Sequence, residues 1–251
     1  MSSSLSVELV TMGLPFVLYW TWSLLFLAVD LTKKPNWLYR RKILLSRRSH
    51  PTPCQQFTAA ARLVFVDQLV ILLFYVLLCP FVRASMTTTS YVGKLALIKF
   101  VLFAVMVHRV WFYYVHRLLH QPLLYRWIHC VHHRWTSPSA VVSANAHPLE
   151  NLILNAGPVV LAVVTWKPDL TSLAVFLTWA VSQSCLDHSG YRLVDNGHHD
   201  THHKLLTCNY GIELLDRLHG TLHLVKPEHS PTDPTVASTD NRDTASSPHP
   251  T

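Results

Sequence analysis

The sequence has few of the residues that mark several common kinds of site. Its five cysteines are odd in number and form no Cys-x-x-Cys pair, which argues against a disulfide framework and favours reduced, structural thiols. Glycine occurs seven times and never in a glycine-rich phosphate loop. No His-Glu pair is present, so the His-Glu-x-x-His helix of zinc proteases is excluded.

Charged residues are scarce too, at 14% of the chain against 50% hydrophobic residues, and the mean hydropathy is +0.23. Apolar runs lie at about residues 9–29, 63–82, 95–115, 149–166 and 170–186. The first is too long for a cleaved signal peptide, and the last two, separated only by Lys167-Pro168-Asp169, predict a tight helical hairpin. The sequence therefore predicts an all-α membrane protein with about four or five transmembrane helices.

The net charge of +7 does not indicate nucleic acid, because seven of the 21 basic residues lie between residues 33 and 48, directly after an apolar run. With a lumenal N-terminus, the positive-inside rule puts this loop and the histidine-rich segments on the cytosolic side. We predict an N-terminal membrane region over residues 1–94, a second region over 95–227 that carries the histidine-rich segments, and a disordered tail over 228–251.

Eleven of the 17 histidines lie between residues 116 and 203. They stand at three- and four-residue spacings, which bring side chains onto one face of a helix, so each cluster could aim its imidazoles at one point. Imidazole suits Zn, Cu, Fe and Ni, and eight or more such ligands imply two ions, since one ion rarely takes more than six. The clusters are His116-x3-His120, His129-x2-His132-His133, His147, His188 and His198-His199-x2-His202-His203.

Other uses of these histidines remain open from the residues alone. Bis-histidine haem would need paired histidines at membrane depth, whereas these stand at the ends of the apolar runs. A metal transporter should bury ionisable residues within its spans, but Asp67 and Gln68 form the only such internal cluster before the histidines. A non-catalytic scaffold should have lost at least one metal-binding histidine, and none is missing. A zinc-loaded hydrolase or lyase cannot be separated from an iron enzyme by imidazole ligands alone.

The order of the motifs resembles the fatty acid hydroxylase superfamily, the membrane di-iron enzymes that include sterol desaturases, sterol C4-methyl oxidases and cholesterol 25-hydroxylases. The similarity covers about residues 95–225, so the resemblance implies a catalytic domain over residues 95–227, with a histidine-rich helical cytosolic cap holding a dimetal centre. Two departures are a short stretch between His188 and His199, and Leu215 where an aromatic residue usually precedes the aspartate. The matching stretches are His116–His120, His129–His133, Ala146–Glu150, His188–Tyr191, His198–His203, Asn209–Gly211 and Asp216–Thr221.

The resemblance implies O2-dependent oxidation of a C–H bond of a sterol or fatty-acyl lipid, as in sterol biosynthesis, at a centre of two iron ions. Hydroxylation is the first expectation and desaturation the alternative. No His-Pro-Gly-Gly haem motif is present, so electrons from NAD(P)H are expected through a separate cytochrome b5 and its reductase. The expected location is the endoplasmic reticulum membrane, in a multi-pass arrangement with the metal site facing the cytosol.

The same resemblance assigns the metal ligands. Nine histidines are expected to bind the ions, with His147 and His198 as further candidates. Glu150 and Asp200 are expected to orient a ligand imidazole through its second ring nitrogen. The expected ligands are His116, His120, His129, His132, His133, His188, His199, His202 and His203.

Overall fold

The computed structural model describes residues 4–43, 52–87, 93–135, 139–193 and 197–224. Within these ranges the chain is helical and has no β-strand, so the predicted all-α class is confirmed. The remaining part of the basic segment, residues 44–48, and the tail over 228–251 lie outside the described residues. The α-helices are α1 Ser4–Glu8, α2 Leu14–Thr32, α3 Asn36–Tyr39, α4 Pro53–Ala84, α5 Lys94–Leu119, α6 Pro122–Trp127, α7 Pro148–Glu150, α8 Gly157–Trp166, α9 Leu170–Asp187, α10 His198–Leu205 and α11 Glu213–Leu218.

Four helical stretches are long and apolar enough to cross a membrane, which agrees with the predicted four or five spans. They are Ser6–Thr32, Pro53–Ala84, Lys94–Leu119 and Pro148–Trp166. The fifth apolar run forms α9, which has 18 residues but does not meet the same hydropathy threshold. Two of the four stretches contain a π-helical segment, at Leu9–Gly13 and Asn151–Ala156.

Helix α4 is longer than its apolar run of residues 63–82 indicated. It begins at Pro53, because Thr52 caps the helix by accepting from the Gln55 backbone N–H, and the Gln55 side chain accepts from the Thr52 N–H in return. Proline fits the first turn of a helix, where its missing N–H has no partner. The helix also continues past Pro80, which lies inside it, and ends at Ala84.

The exposed faces of these helices are apolar, as a lipid-facing surface requires. Leu73 and Leu77 of α4 and Leu102 of α5 are 64%, 69% and 65% exposed. Buried aromatic and small residues hold the helices together on the other faces: Phe100 and Ala104 of α5 pack with Phe176 of α9 in one core cluster.

Helices α8 and α9 form the predicted hairpin. Lys167 takes a left-handed conformation after α8, and Asp169 caps α9 by accepting from the N–H groups of Thr171 and Ser172. Because the hairpin turns at residues 167–169, the start of the Pro148–Trp166 stretch and the end of α9 lie at the same end of the bundle. That end also receives the C-terminus of α5, with His116 in its last turn.

The chain after α9 is tied to the chain after α2. Lys42 and Tyr191 form an isolated antiparallel bridge, and the Tyr191 hydroxyl donates to Asp30 at 2.5 Å. Asp30 also pairs with the Lys42 ammonium. These contacts hold the segment that directly follows His188 against the end of α2.

Candidate metal centre

The nine histidines expected as ligands form two compact groups at this end of the bundle. Within each group, one ring nitrogen from every member lies within 4.8 Å of those of all the others. Eight of the nine are buried, and His120 is half-buried. The first group contains His116, His120, His129, His133 and His202, and the second contains His132, His188, His199 and His203.

The two groups are neighbours, with the rings of His133 and His203 centred 4.5 Å apart. This arrangement corrects the expectation that each sequence cluster aims at one point. His132 belongs to the second group and its neighbour His133 to the first, and His203 and His202 divide in the same way. Adjacent residues of a helical turn point about 100° to 120° apart, so each His-His pair supplies one imidazole to each group.

The first His-His pair lies on a 3-10 segment, His129–Arg134, and the second lies on α10.

Four of the grouped histidines donate a hydrogen bond from Nδ1 to an oxygen atom on the side of the ring that faces away from the group. His129 donates to Glu150 Oε1 at 2.8 Å. The other three acceptors are backbone carbonyl oxygens at 2.7–2.8 Å: His116 to Tyr210, His202 to Cys208 and His188 to Ser184. A neutral imidazole that donates from Nδ1 carries its lone pair on Nε2. These four acceptor oxygens therefore orient the rings so that four Nε2 lone pairs point into the two groups.

Burial keeps the imidazoles outside the spans neutral. It lowers the pKa of His188 to about 4. It also lowers the pKa of His120 to about 3, with a further contribution from the repulsion that a second protonated ring at His116 would cause. The pKa values of His129, His132, His133, His199, His202 and His203 fall below the usual value through burial first and repulsion between the rings second.

Metal ions fit this set of donors better than hydrogen bonds among the rings do. Nε2 atoms within the groups approach each other to 2.9–3.2 Å, and two nitrogens bound at about 2.1 Å and at right angles to one ion would lie about 3.0 Å apart. Without an ion, the Nε2–H of His120 would have to serve the lone pairs of both His129 and His202. His116 Nε2 has no hydrogen-bond partner within the described residues.

The other candidates lie outside the two groups. His147 caps α7, accepting from the Leu149 N–H at 3.2 Å, and His198 Nε2 contacts Asp216 Oδ2 at 3.2 Å. Glu150 contacts His129, as described above. Asp200 is buried in α10 beside His199, and its expected pairing with a ligand imidazole stays a prediction.

Sequence reasoning missed the loop that supports His116 and His202. Asp216 is fully buried and accepts hydrogen bonds from the N–H groups of Tyr210 and Gly211 and from the Thr221 hydroxyl. Burial alone would raise the pKa of Asp216, but these bonds and the contact with His198 hold that pKa below its usual value. The loop thereby fixes the Tyr210 carbonyl that accepts from His116. The motif from Asn209 to Thr221 was visible in the sequence, but a backbone acceptor leaves no residue signal.

A cavity of about 950 Å³ reaches the centre from the membrane-crossing part of the protein. Mostly apolar side chains of α2, α4, α5, α8 and α9 line it. His188 and His199 of the second group lie in its wall, whereas no histidine of the first group does. The volume is near the upper end of the usual range for small-molecule sites.

Comparisons with known proteins agree with the motif order. The family model for fatty acid hydroxylases matches residues 100–221, which contain all nine grouped histidines. The human "Fatty acid hydroxylase domain-containing protein 2" is 31% identical over 218 residues, covering 82% of this chain and 64% of the relative. The chain thus spans less than two thirds of that relative.

Two further relatives bear enzyme names. "Fatty acid hydroxylase ahd1" of Mycosarcoma maydis is 30% identical over 205 residues, covering 78% of this chain and 53% of the relative. "Methylsterol monooxygenase 1" of Rattus norvegicus is 33% identical over 128 residues, covering 46% of this chain and 43% of the relative. No solved structure matches the chain.

Proposed function

We propose, from the membership of this chain in the fatty acid hydroxylase superfamily, that it is a membrane-bound oxygenase that hydroxylates a sterol or fatty-acyl lipid at a pair of iron ions. The observation that carries the proposal is the cavity, which runs from the apolar helices to His188 and His199. A lipid carbon can thereby approach the second histidine group without leaving apolar surroundings.

The residues have distinct parts in this proposal. The nine grouped histidines would hold the iron ions, which when bound supply activation of O2. Glu150 and the carbonyl oxygens of Tyr210, Cys208 and Ser184 orient four of the imidazoles, and such contacts raise the basicity of a ligand. The apolar lining positions the lipid and keeps water away from the oxidation.

We also propose the domain limits and the partners. The catalytic domain spans residues 95–227, which contain the whole family match of 100–221, and residues 1–94 supply α2 and α4 to the cavity wall. Cytochrome b5 and its reductase deliver electrons from NAD(P)H, and the exposed basic residues Lys33, Lys34, Arg40 and Arg41 suit an acidic partner. The protein lies in the endoplasmic reticulum membrane with the metal centre on the cytosolic side.

The experiment is a comparison of cellular lipids. Cells lacking the gene receive the wild-type chain, the ligand variant His199→Ala or the surface variant Lys94→Gln, and their lipids are compared by mass spectrometry. Lys94 is exposed at the start of α5, far from His116, and is not among the residues that line the cavity. We expect a lipid that gains one oxygen atom with the wild-type chain and the surface variant, and its loss in His199→Ala. A product that instead loses two hydrogen atoms identifies the desaturase. Identical profiles in all cells, or a product that His199→Ala still forms, would overturn the proposal.

Metal analysis of protein purified without air provides the second test. We expect about two iron ions per chain, since the histidines form two groups. Full occupancy by zinc with no iron under these conditions would favour the hydrolase or lyase alternative.

A further inference from the structure

The apolar cavity contains a polar patch formed by Asp67, Gln68, Asn151 and Asn155, which all line its wall. Asp67 is 6% exposed and Asn151 is 4% exposed. Asn151 donates to Asp67 Oδ2 and to the carbonyl oxygen of Ala144 at 3.3 Å, and Asn155 donates to Asn151 Oδ1 at 2.6 Å. The amides are thus held in one orientation around the carboxyl group.

One oxygen of this patch is left over. Asp67 Oδ1 is buried and has no hydrogen-bond partner within the described part of the chain. A buried carboxyl oxygen without a partner is costly, particularly in a helix that crosses a membrane, where an ionisable residue usually marks a functional site. Asp67 therefore has the properties of a binding site for a ligand in the cavity that donates a hydrogen bond.

The backbone supports the same interpretation. Both π-helical segments of the described chain, Leu9–Gly13 and Asn151–Ala156, contribute residues to the cavity wall. Short π-helical insertions occur frequently at functional sites. The second segment carries Asn151 and Asn155, the two amides of the patch.

We propose that Asp67 binds a hydroxyl group of the lipid substrate through Oδ1, so that the cavity selects lipid alcohols over lipids of the same skeleton without the hydroxyl. This inference rests on the proposed function, because it takes the cavity to be the substrate site. The direction of the hydrogen bond determines which group is selected. A carboxylate only accepts hydrogen bonds, so it suits a hydroxyl, which can donate, and disfavours a ketone, which cannot donate.

The test measures binding of three compounds that share one skeleton and differ at one group. The sterol series is cholestanol, cholestanone and cholestane, and the straight-chain series is hexadecan-2-ol, hexadecan-2-one and hexadecane. Each competes with tritiated alcohol for the purified, metal-loaded protein in lipid nanodiscs. We expect the alcohol of at least one series to bind about tenfold or more tightly than its hydrocarbon and its ketone, as for a hydrogen bond to a charged group.

Two variants separate recognition from support of the fold. Asp67→Asn keeps an oxygen for Asn151 but presents an N–H group to the ligand, so the alcohol should lose its advantage over the ketone. Leu72→Ala removes an apolar side chain from the same wall and should weaken all three compounds by a similar factor. Metal content is measured in both variants, since Asn151 is adjacent to Glu150.

The outcomes distinguish the two proposals. Equal binding of the alcohol and the hydrocarbon by the wild-type protein overturns the role of Asp67 and leaves the lipid oxygenase standing. So does an alcohol preference that survives in Asp67→Asn. Loss of metal in Asp67→Asn also overturns the inference, because Asp67 would then act on the centre through its neighbours. If no compound of either series binds, the proposed function fails together with the inference.

Discussion

Replacing Glu150 by leucine tests whether the contacts behind the imidazoles help the two groups to hold metal. Glu150 is 2% exposed, and its Oε1 accepts from Nδ1 of the fully buried His129 at 2.8 Å. The equivalent acceptors of His116, His188 and His202 are backbone carbonyls, which a substitution cannot remove directly. Among these four contacts, only that of Glu150 is accessible to a side-chain variant.

The size of the effect follows from the geometry. Leucine is close to glutamate in size but cannot accept, so the buried Nδ1–H of His129 loses its partner at a cost of about 1–3 kcal/mol. This corresponds to roughly a 5- to 150-fold change in an equilibrium constant, and loss of similar contacts behind metal ligands costs about 10- to 100-fold in affinity. Glu150→Gln keeps a carbonyl acceptor without the charge, so its loss should be smaller, about tenfold or less.

The assay is a competition titration of purified protein with a chelator of known affinity, together with total metal analysis. We expect the affinity for one of the two bound ions to fall in Glu150→Leu, because His129 belongs to one group only. Lys94→Gln is the control, since Lys94 is exposed at the start of α5, at the opposite end of that helix from His116. Wild-type affinity for both ions in Glu150→Leu would refute the reasoning. Equal weakening of both ions with full helix content would refute the assignment of Glu150 to one group.

Three further predictions concern the ligands, the pH and the helix packing. His120→Ala and His199→Ala should each reduce the metal content by about half, because they remove ligands from different groups; unchanged content in either variant would contradict the two-group arrangement. Metal-free protein should lose stability as the pH falls from 6.5 towards 4, because in this range a histidine such as His188 takes up a proton only in the unfolded chain. The loss should be about 1.4 kcal/mol per pH unit for each such buried histidine. A melting temperature that does not change over this pH range would contradict the prediction. Gly157→Leu should destabilise the fold by about 1–3 kcal/mol, because its Cβ would lie 2.9 Å from the Trp111 ring. Gly13→Ala is the control: its Cβ would lie 3.8 Å from the Leu9 side chain, an ordinary contact, and it should not lower the melting temperature.

Much of the helical architecture was accessible from the sequence, because hydropathy acts over whole segments. The runs of 95–115 and 170–186 became α5 and α9, and Lys167-Pro168-Asp169 became the hairpin turn. The start of α4 was less accessible. A single side chain, that of Thr52, caps a first turn that is more polar than the run itself.

The division of the histidines was not predictable from spacing alone. A pair such as His132-His133 could have one member in a site and the other on the surface, and only the approach of α10 and the end of α9 gives each member its own set of neighbours. The oxygens that accept from the imidazoles were harder still to predict. Glu150 follows the clusters in a recognisable motif, but the Tyr210 carbonyl is a backbone group, and any residue type supplies one.

The two histidine groups differ in their access to the cavity, and this difference constrains the reaction. The first group has five members, and none of them lines the cavity. The second has four, of which His188 and His199 stand in the cavity wall. With fewer imidazoles, an ion in the second group has more room for a further ligand, because an ion rarely takes more than six. If a lipid is oxidised in this cavity, the carbon that reacts must therefore lie beside the second group. The first group does not face the cavity, so it can act on that carbon only through the second group.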